Sequence, residues 1–196
     1  MWKNLVLEAK SLACERGGRL VFKNLTFAVR TGELFELRGP NGSGKSSLLR
    51  LIAGLNRPAH GAITFNGNIP IAEQAHYIGH NEAIKPALTV QENLLFWQSF
   101  LGGRGDHALK PFRLEKLKDD EARLLSEGQK RRLALSRLVA IARPIWLLDE
   151  PTVGLDKTAL EDLRREIAAH LSSGGMVIAA THTEIGIKSA RQMELA

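Results

Sequence analysis

The chain has 196 residues, 44% of them hydrophobic and 24% charged, which fits one globular domain and excludes a disordered or fibrous polypeptide. Lys and Arg number 27 against 21 Asp and Glu, a formal charge of +6. The excess is modest and scattered. Its densest run, Lys130-Arg131-Arg132, falls at a helix start and reads as a solvated helix face, not a nucleic-acid stripe, so no nucleic-acid partner is expected. No apolar run approaches the roughly 18 residues that span a bilayer, and the first residues carry neither the apolar core nor the cleavage site of a secretory signal. A single cysteine, Cys14, fits a reducing compartment, and the expected location is cytoplasmic.

In chain order, short segments rich in β-branched or aromatic residues predict strands at Leu5–Leu7, Leu25–Val29, Leu34–Leu37, Ile63–Phe65 and Tyr77–Ile78. A helix is predicted over Ser46–Ala53, closed by Gly54. Thr89-Val90-Gln91-Glu92 is a capping box that opens a helix toward Leu101, and Gly102-Gly103-Arg104-Gly105-Asp106 breaks it. The stretch to Leu125 is charged and irregular. Glu127–Ala142 predicts a helix, Ile145–Leu148 a continuous apolar strand of the buried parallel type, Lys157–Leu171 an amphipathic helix, and Met176–Ala180 another buried strand. The alternation argues an α/β domain around a parallel sheet, with residues 1–30 as an antiparallel β flank.

Gly39-Pro40-Asn41-Gly42-Ser43-Gly44-Lys45-Ser46 matches G-x-x-x-x-G-K-[ST] between a predicted strand and a predicted helix, with Ser47 next. Glycines let successive backbone amides turn toward an anion, and the helix N-terminus adds partial positive charge. Lys45 is placed to reach the β- and γ-phosphates of a nucleotide, and the Ser46 hydroxyl to ligate Mg2+.

Two carboxylates, Asp149 and Glu150, end the strand that begins at Ile145. In a parallel sheet, ligands bind beyond the carboxyl ends of strands. There Asp149 can hold Mg2+ or its waters and Glu150 can polarise an attacking water. His182 follows the strand Met176–Ala180, again at a carboxyl end, within reach of a γ-phosphate.

Leu125-Ser126-Glu127-Gly128-Gln129 precedes the basic helix, and Ser126 with Gln129 forms a capping box. Gly128 in the first turn costs stability relative to alanine, which makes sense if the helix start must approach something closely.

At this point the chain resembles the ATP-binding cassette (ABC) family over nearly its whole length. Residues 125–129 look like the family's signature motif, Gly154-Leu155-Asp156 its D-loop and His182 its switch histidine, in the family's order. The resemblance implies a P-loop ATPase of ABC type, with a central parallel sheet, an N-terminal antiparallel β flank and a short helical subdomain. It implies one ATPase domain over 1–196, with 1–81 and 129–196 as catalytic core and 82–128 as helical subdomain. It further implies ATP and Mg2+ as cofactors and a head-to-tail homodimer in the ATP-bound state. In that dimer Ser126, Glu127, Gly128 and Gln129 complete the partner's site. Two positions depart from the family pattern: Arg16 stands where an aromatic residue stacks on adenine, and His80 where the Q-loop has glutamine. An arginine plane can also stack on a base.

Cys14-Glu15-Arg16-Gly17, Gly79-His80, Ile84-Lys85-Pro86 and Glu92-Asn93-Leu94 resemble the branch whose ATP-binding subunits serve haem export in bacterial cytochrome c maturation. That likeness implies integral membrane partners and a place on the cytoplasmic face of the inner membrane. Three other readings compete: the ATPase of another transporter, a soluble nucleic-acid-associated ABC ATPase, and a nucleotide-binding scaffold with little turnover. The last is opposed by the full set Lys45, Ser46, Asp149, Glu150 and His182.

Overall fold

A computed structural model describes residues 2–67, 69–103, 107–188 and 190–195. Residues 104–106 of the glycine-rich break lie outside them. The elements run β1 (Val6–Arg16), β2 (Arg19–Arg30), β3 (Leu34–Arg38), α1 (Lys45–Ile52), β4 (His60–Phe65), α2 (Ile71–Gln74) and β5 (Ala75–Ile78). They continue as α3 (Val90–Leu101), α4 (Glu127–Ala140), β6 (Ile145–Asp149), α5 (Lys157–Ser172), β7 (Met176–Ala180) and β8 (Arg191–Glu194). Two compact units emerge, one of residues 1–79, 143–151 and 168–196, the other of 80–142 and 152–167.

The first unit holds both sheets. Five strands lie in the order β5-β6-β7-β3-β8, with every pair parallel. All residues of β6 and β7 are buried, as their unbroken apolar sequences require of strands covered on both faces. Three further strands form the antiparallel flank in the order β2-β1-β4. Its first two strands are much longer than predicted. They run to a turn at Gly17-Gly18, because inward residues continue past the first apolar cluster through Leu12, Cys14 and Phe22. Bulges at Ala9/Leu12, Leu12/Cys14 and Cys14/Glu15 break the two-residue alternation that would have shown this.

One core joins the inner faces of these strands to α1, through Leu37, Leu147, Ile178, Leu48, Leu49 and Ile52 among others. Each fully buried aliphatic side chain is worth about 1.5–3 kcal/mol of transfer free energy. The strand β8 is an addition to the predicted set. Its sequence, Arg-Gln-Met-Glu, has no hydrophobic signature because it is an edge strand with a mostly exposed pattern.

In the second unit both predicted capping boxes form. Thr89 and Ser126 accept from the backbone N–H groups of Glu92 and Gln129, whose side chains accept from Thr89 N and Ser126 N in return. The basic run at the start of α4 corrects the expectation of a solvated face. Arg131 is buried, Arg132 donates to the Phe112 carbonyl at 3.0 Å, and further along Arg137 is buried with its guanidinium over the Trp97 ring. Burial holds Arg137 down at about 10. Arg132 and Arg137 thus pack against residues 112 and 97 of the same unit.

Candidate nucleotide site

The loop after β3 reverses the chain by using glycine where nothing larger fits. Gly39 has φ 132°, and a Cβ there would stand 2.1 Å from the Leu195 carbonyl oxygen. Gly44, in the left-handed region at φ 98°, is the N-cap of α1 and supplies no side-chain cap. The first amides of α1 are therefore left for whatever the loop encloses. Ser43 Oγ is buried inside this loop and has no hydrogen-bond partner among the described residues, a donor suited to an anionic oxygen.

Lys45 is buried, and its ammonium donates to the carbonyls of Gly39 at 2.8 Å and Pro40 at 3.0 Å, so the loop curls over its own lysine. Ser46 Oγ donates to Asp149 Oδ1 at 2.9 Å, tying the helix start to the end of β6. The other carboxylate oxygen accepts from the Tyr77 hydroxyl at 3.2 Å. Burial pushes the Tyr77 phenol above its ordinary range, so it is a donor at neutral pH.

Glu150 adopts φ 47°, a left-handed conformation that costs energy in a non-glycine residue, with its N–H donating to the Ala180 carbonyl at 2.8 Å. Its Oε1 lies 3.4 Å from His182 Nε2. That nitrogen also stands 2.7 Å from Asn41 Oδ1 and 3.5 Å from Lys45 Nζ. The structure thus gathers Asn41, Lys45, Ser46, Asp149, Glu150 and His182 at the carboxyl ends of β3, β6 and β7.

Arg16 closes β1 beside the hairpin turn, exposed and in register with Arg19. His80, Ser126–Gln129 and Asp156 belong to the second unit. There His80 is exposed, and a Cβ on Gly128 would meet the Gly154 carbonyl oxygen at 3.0 Å. The close approach expected of Gly128 is therefore to the turn that carries Asp156. Asp156 in turn caps α5, accepting from Ala159 N at 2.8 Å. Sequence reasoning missed Tyr77 and Arg50, which donates to the Tyr77 oxygen at 3.3 Å. Only the pairing of β5 with β6 reveals them.

The donor set at Ser46 and Asp149, one hydroxyl and one carboxylate, is the hard-oxygen pair that suits Mg2+, which takes its remaining ligands from water and phosphate. Among the described residues no cluster of three or more His, Cys, Asp or Glu side chains forms a metal cage.

A phosphate-cradling loop facing an acidic strand end, on this sheet topology, defines a P-loop ATPase of the ABC type. The ABC transporter family model matches residues 22–153, and the chain belongs to that family. It is 50% identical over 201 residues to the cytochrome c biogenesis ATP-binding export protein CcmA of Rhodopseudomonas palustris (strain BisB5), covering 100% of this chain and 98% of that one. It is 47% identical to the protein of the same name from Paramagnetospirillum magneticum, covering 95% and 92%. Among solved structures it is similar to the ATP binding subunit of an ABC transporter at 29% identity, with a TM-score of 0.83 over 90% of this chain and 79% of the other. No helix of the described residues is long and apolar enough to cross a membrane.

Proposed function

We propose that this chain is the ATP-hydrolysing motor of a membrane ABC complex that exports haem, or handles it, for cytochrome c biogenesis. The observation that carries this is full-length identity of 50% to a cytochrome c biogenesis export ATPase, in a chain whose Ser46, Asp149, Glu150 and His182 gather at one loop. The loop 39–47 cradles the triphosphate with its amides and the Ser43 hydroxyl. Lys45 exchanges its carbonyl partners for β- and γ-phosphate oxygens. Ser46 and Asp149 would hold Mg2+, and the ion would supply positive charge beside the phosphate oxygens. Glu150 takes a proton from the attacking water, and His182 leaves Asn41 to contact the γ-phosphate. Arg16 lies over adenine. His80, in the loop after β5, couples the site to the membrane subunits.

By the same reading, Ser126–Gln129 of one copy and the phosphate loop of a second enclose each ATP, and Asp156 belongs to the D-loop. The domain is a catalytic core, 1–81 and 129–196, with a helical subdomain at 82–128. It works on the cytoplasmic face of the inner membrane, bound to integral membrane subunits. A strain carrying Lys45→Ala as its sole, expressed copy should lose holo c-type cytochromes while other haem proteins persist. Normal cytochrome c maturation in that strain would overturn the haem assignment.

A further inference from the structure

Tyr77 lies on β5, beside β6 and in register with Leu147, so its side chain reaches the end of the neighbouring strand. Its hydroxyl donates to Asp149 Oδ2 at 3.2 Å, while Ser46 Oγ donates to Oδ1 at 2.9 Å. Arg50 donates to the tyrosine oxygen at 3.3 Å. A phenol oxygen that accepts from a guanidinium turns its own proton elsewhere, here onto the carboxylate. Arg50 and Ser46 both belong to α1. The four side chains therefore close a ring that leaves the helix through Arg50, crosses Tyr77 and Asp149, and returns through Ser46.

The torsion that spins a carboxylate is soft, with broad, two-fold wells. A hydrogen bond at Oδ1 together with one at Oδ2 fixes the plane of the carboxylate. We propose that Tyr77 is a positioning residue for the Mg2+ site, fixing the Asp149 carboxylate from the side opposite Ser46, with Arg50 holding the phenol in its donor orientation. This rests on the reading of Ser46 and Asp149 as the groups that hold Mg2+ beside ATP. Tyr77 acts through the Asp149 carboxylate that its hydroxyl holds. Its effect is to present the carboxylate already oriented, which lowers the cost of closing the coordination shell.

Tyr77→Phe deletes one oxygen and keeps the ring. The measurement is Mn2+ uptake, read by electron paramagnetic resonance, by the full chain with a non-hydrolysable ATP analogue. The variant should bind the analogue without metal as tightly as the parent. It should need roughly ten- to a hundredfold more Mn2+ for half-saturation, the usual cost of losing a group that orients a metal-binding carboxylate. The Mg2+ concentration for half-maximal hydrolysis should rise by the same factor. Arg50→Met should shift both in the same direction by less, and carries the test if Tyr77→Phe does not fold. A purely structural tyrosine would lower the thermal midpoint and leave Mn2+ affinity alone. Unchanged Mn2+ affinity with normal analogue binding overturns the role of Tyr77 and leaves the phosphate-loop reading intact. A parent chain that binds no analogue overturns both.

Discussion

Glu150 Oε1 and His182 Nε2 stand 3.4 Å apart, although each leaves the end of a different strand of the sheet. The Glu150 backbone is held at φ 47° to bring this about, with its N–H on the Ala180 carbonyl one strand away. Strain of this kind persists where surrounding structure fixes it and function uses it. Glu150→Gln keeps the shape and removes the base. It should retain ATP binding and lose hydrolysis by roughly 10²–10⁴-fold in a steady-state phosphate-release assay. His182→Ala should also lower turnover. A Glu150→Gln enzyme with parental turnover would reassign the base.

Lys45 donates to the Gly39 and Pro40 carbonyls, so the loop is shaped around an ammonium that can be handed to phosphate oxygens. Lys45→Ala should weaken ATP binding by roughly 10- to 100-fold, the worth of charge-assisted hydrogen bonds. Titration of a fluorescent ATP analogue measures this directly, and AMP, which lacks the contacted phosphates, should bind the two forms alike.

Ser126 both caps α4 and begins the segment assigned to the partner's site. In Glu150→Gln with ATP and Mg2+, trapped ligand should make the chain sediment as a dimer. Adding Ser126→Arg should abolish the dimer. Losing the cap alone costs about 1 kcal/mol. Ser126→Asp keeps a capping oxygen and serves as the stability control. An Arg form that loses the dimer while its stability falls below the Asp form by no more than the lost cap separates the two effects.

The two positions that depart from the family pattern give a paired test. Arg16 is exposed, and stacking there should contribute at the weak end of such contacts. Arg16→Ala should then lower ATP affinity by roughly two- to fivefold, and Arg16→Tyr should restore much of it. His80→Gln should leave ATP affinity unchanged in the isolated chain and alter hydrolysis only when the membrane subunits are present.

His170 is buried against Trp146, ring on ring at 3.9 Å and 11°, with Trp2 edge-on at 5.3 Å and Nε2 on the Pro144 carbonyl at 3.2 Å. Burial pulls its pKa from 6.5 to about 4. The unfolded chain therefore binds the proton more readily, and stability is full above 6.5 and falls as pH drops toward 4. The loss accumulates to roughly 3 kcal/mol. Urea unfolding at pH 7.5 and 5 should show it, and His170→Phe, which preserves the stack, should flatten the difference.

Local patterns carried much of the architecture. The phosphate loop, the apolar runs of β6 and β7, and the capping boxes at Thr89 and Ser126 each sit within a few residues of sequence, so composition and spacing expose them. What stayed hidden depends on pairing across long separations. The contact of Tyr77 with Asp149 follows from β5 lying beside β6, which no local pattern encodes. Bulges masked the length of β1, and β8 has too little apolar surface to announce itself. Arg131 looked like solvated charge because a long, amphipathic side chain can be buried as readily as exposed, and a run of basic letters does not tell which.

The wall of the phosphate loop is made last. Residues 39–46 are made well before Leu195, yet Gly39 is packed on the Leu195 carbonyl, and Leu195 N donates to the Arg38 carbonyl. The nascent chain must therefore carry an open, glycine-rich segment until β7 has inserted beside β3 and β8 has closed the other side. During that interval the central strands β3 and β6 expose unpaired edges, the condition under which chaperone capture competes with folding. A nucleotide bound at the loop would then favour chains in which β8 is in place over those in which it is not, so ligand affinity reports on the closure of the sheet edge.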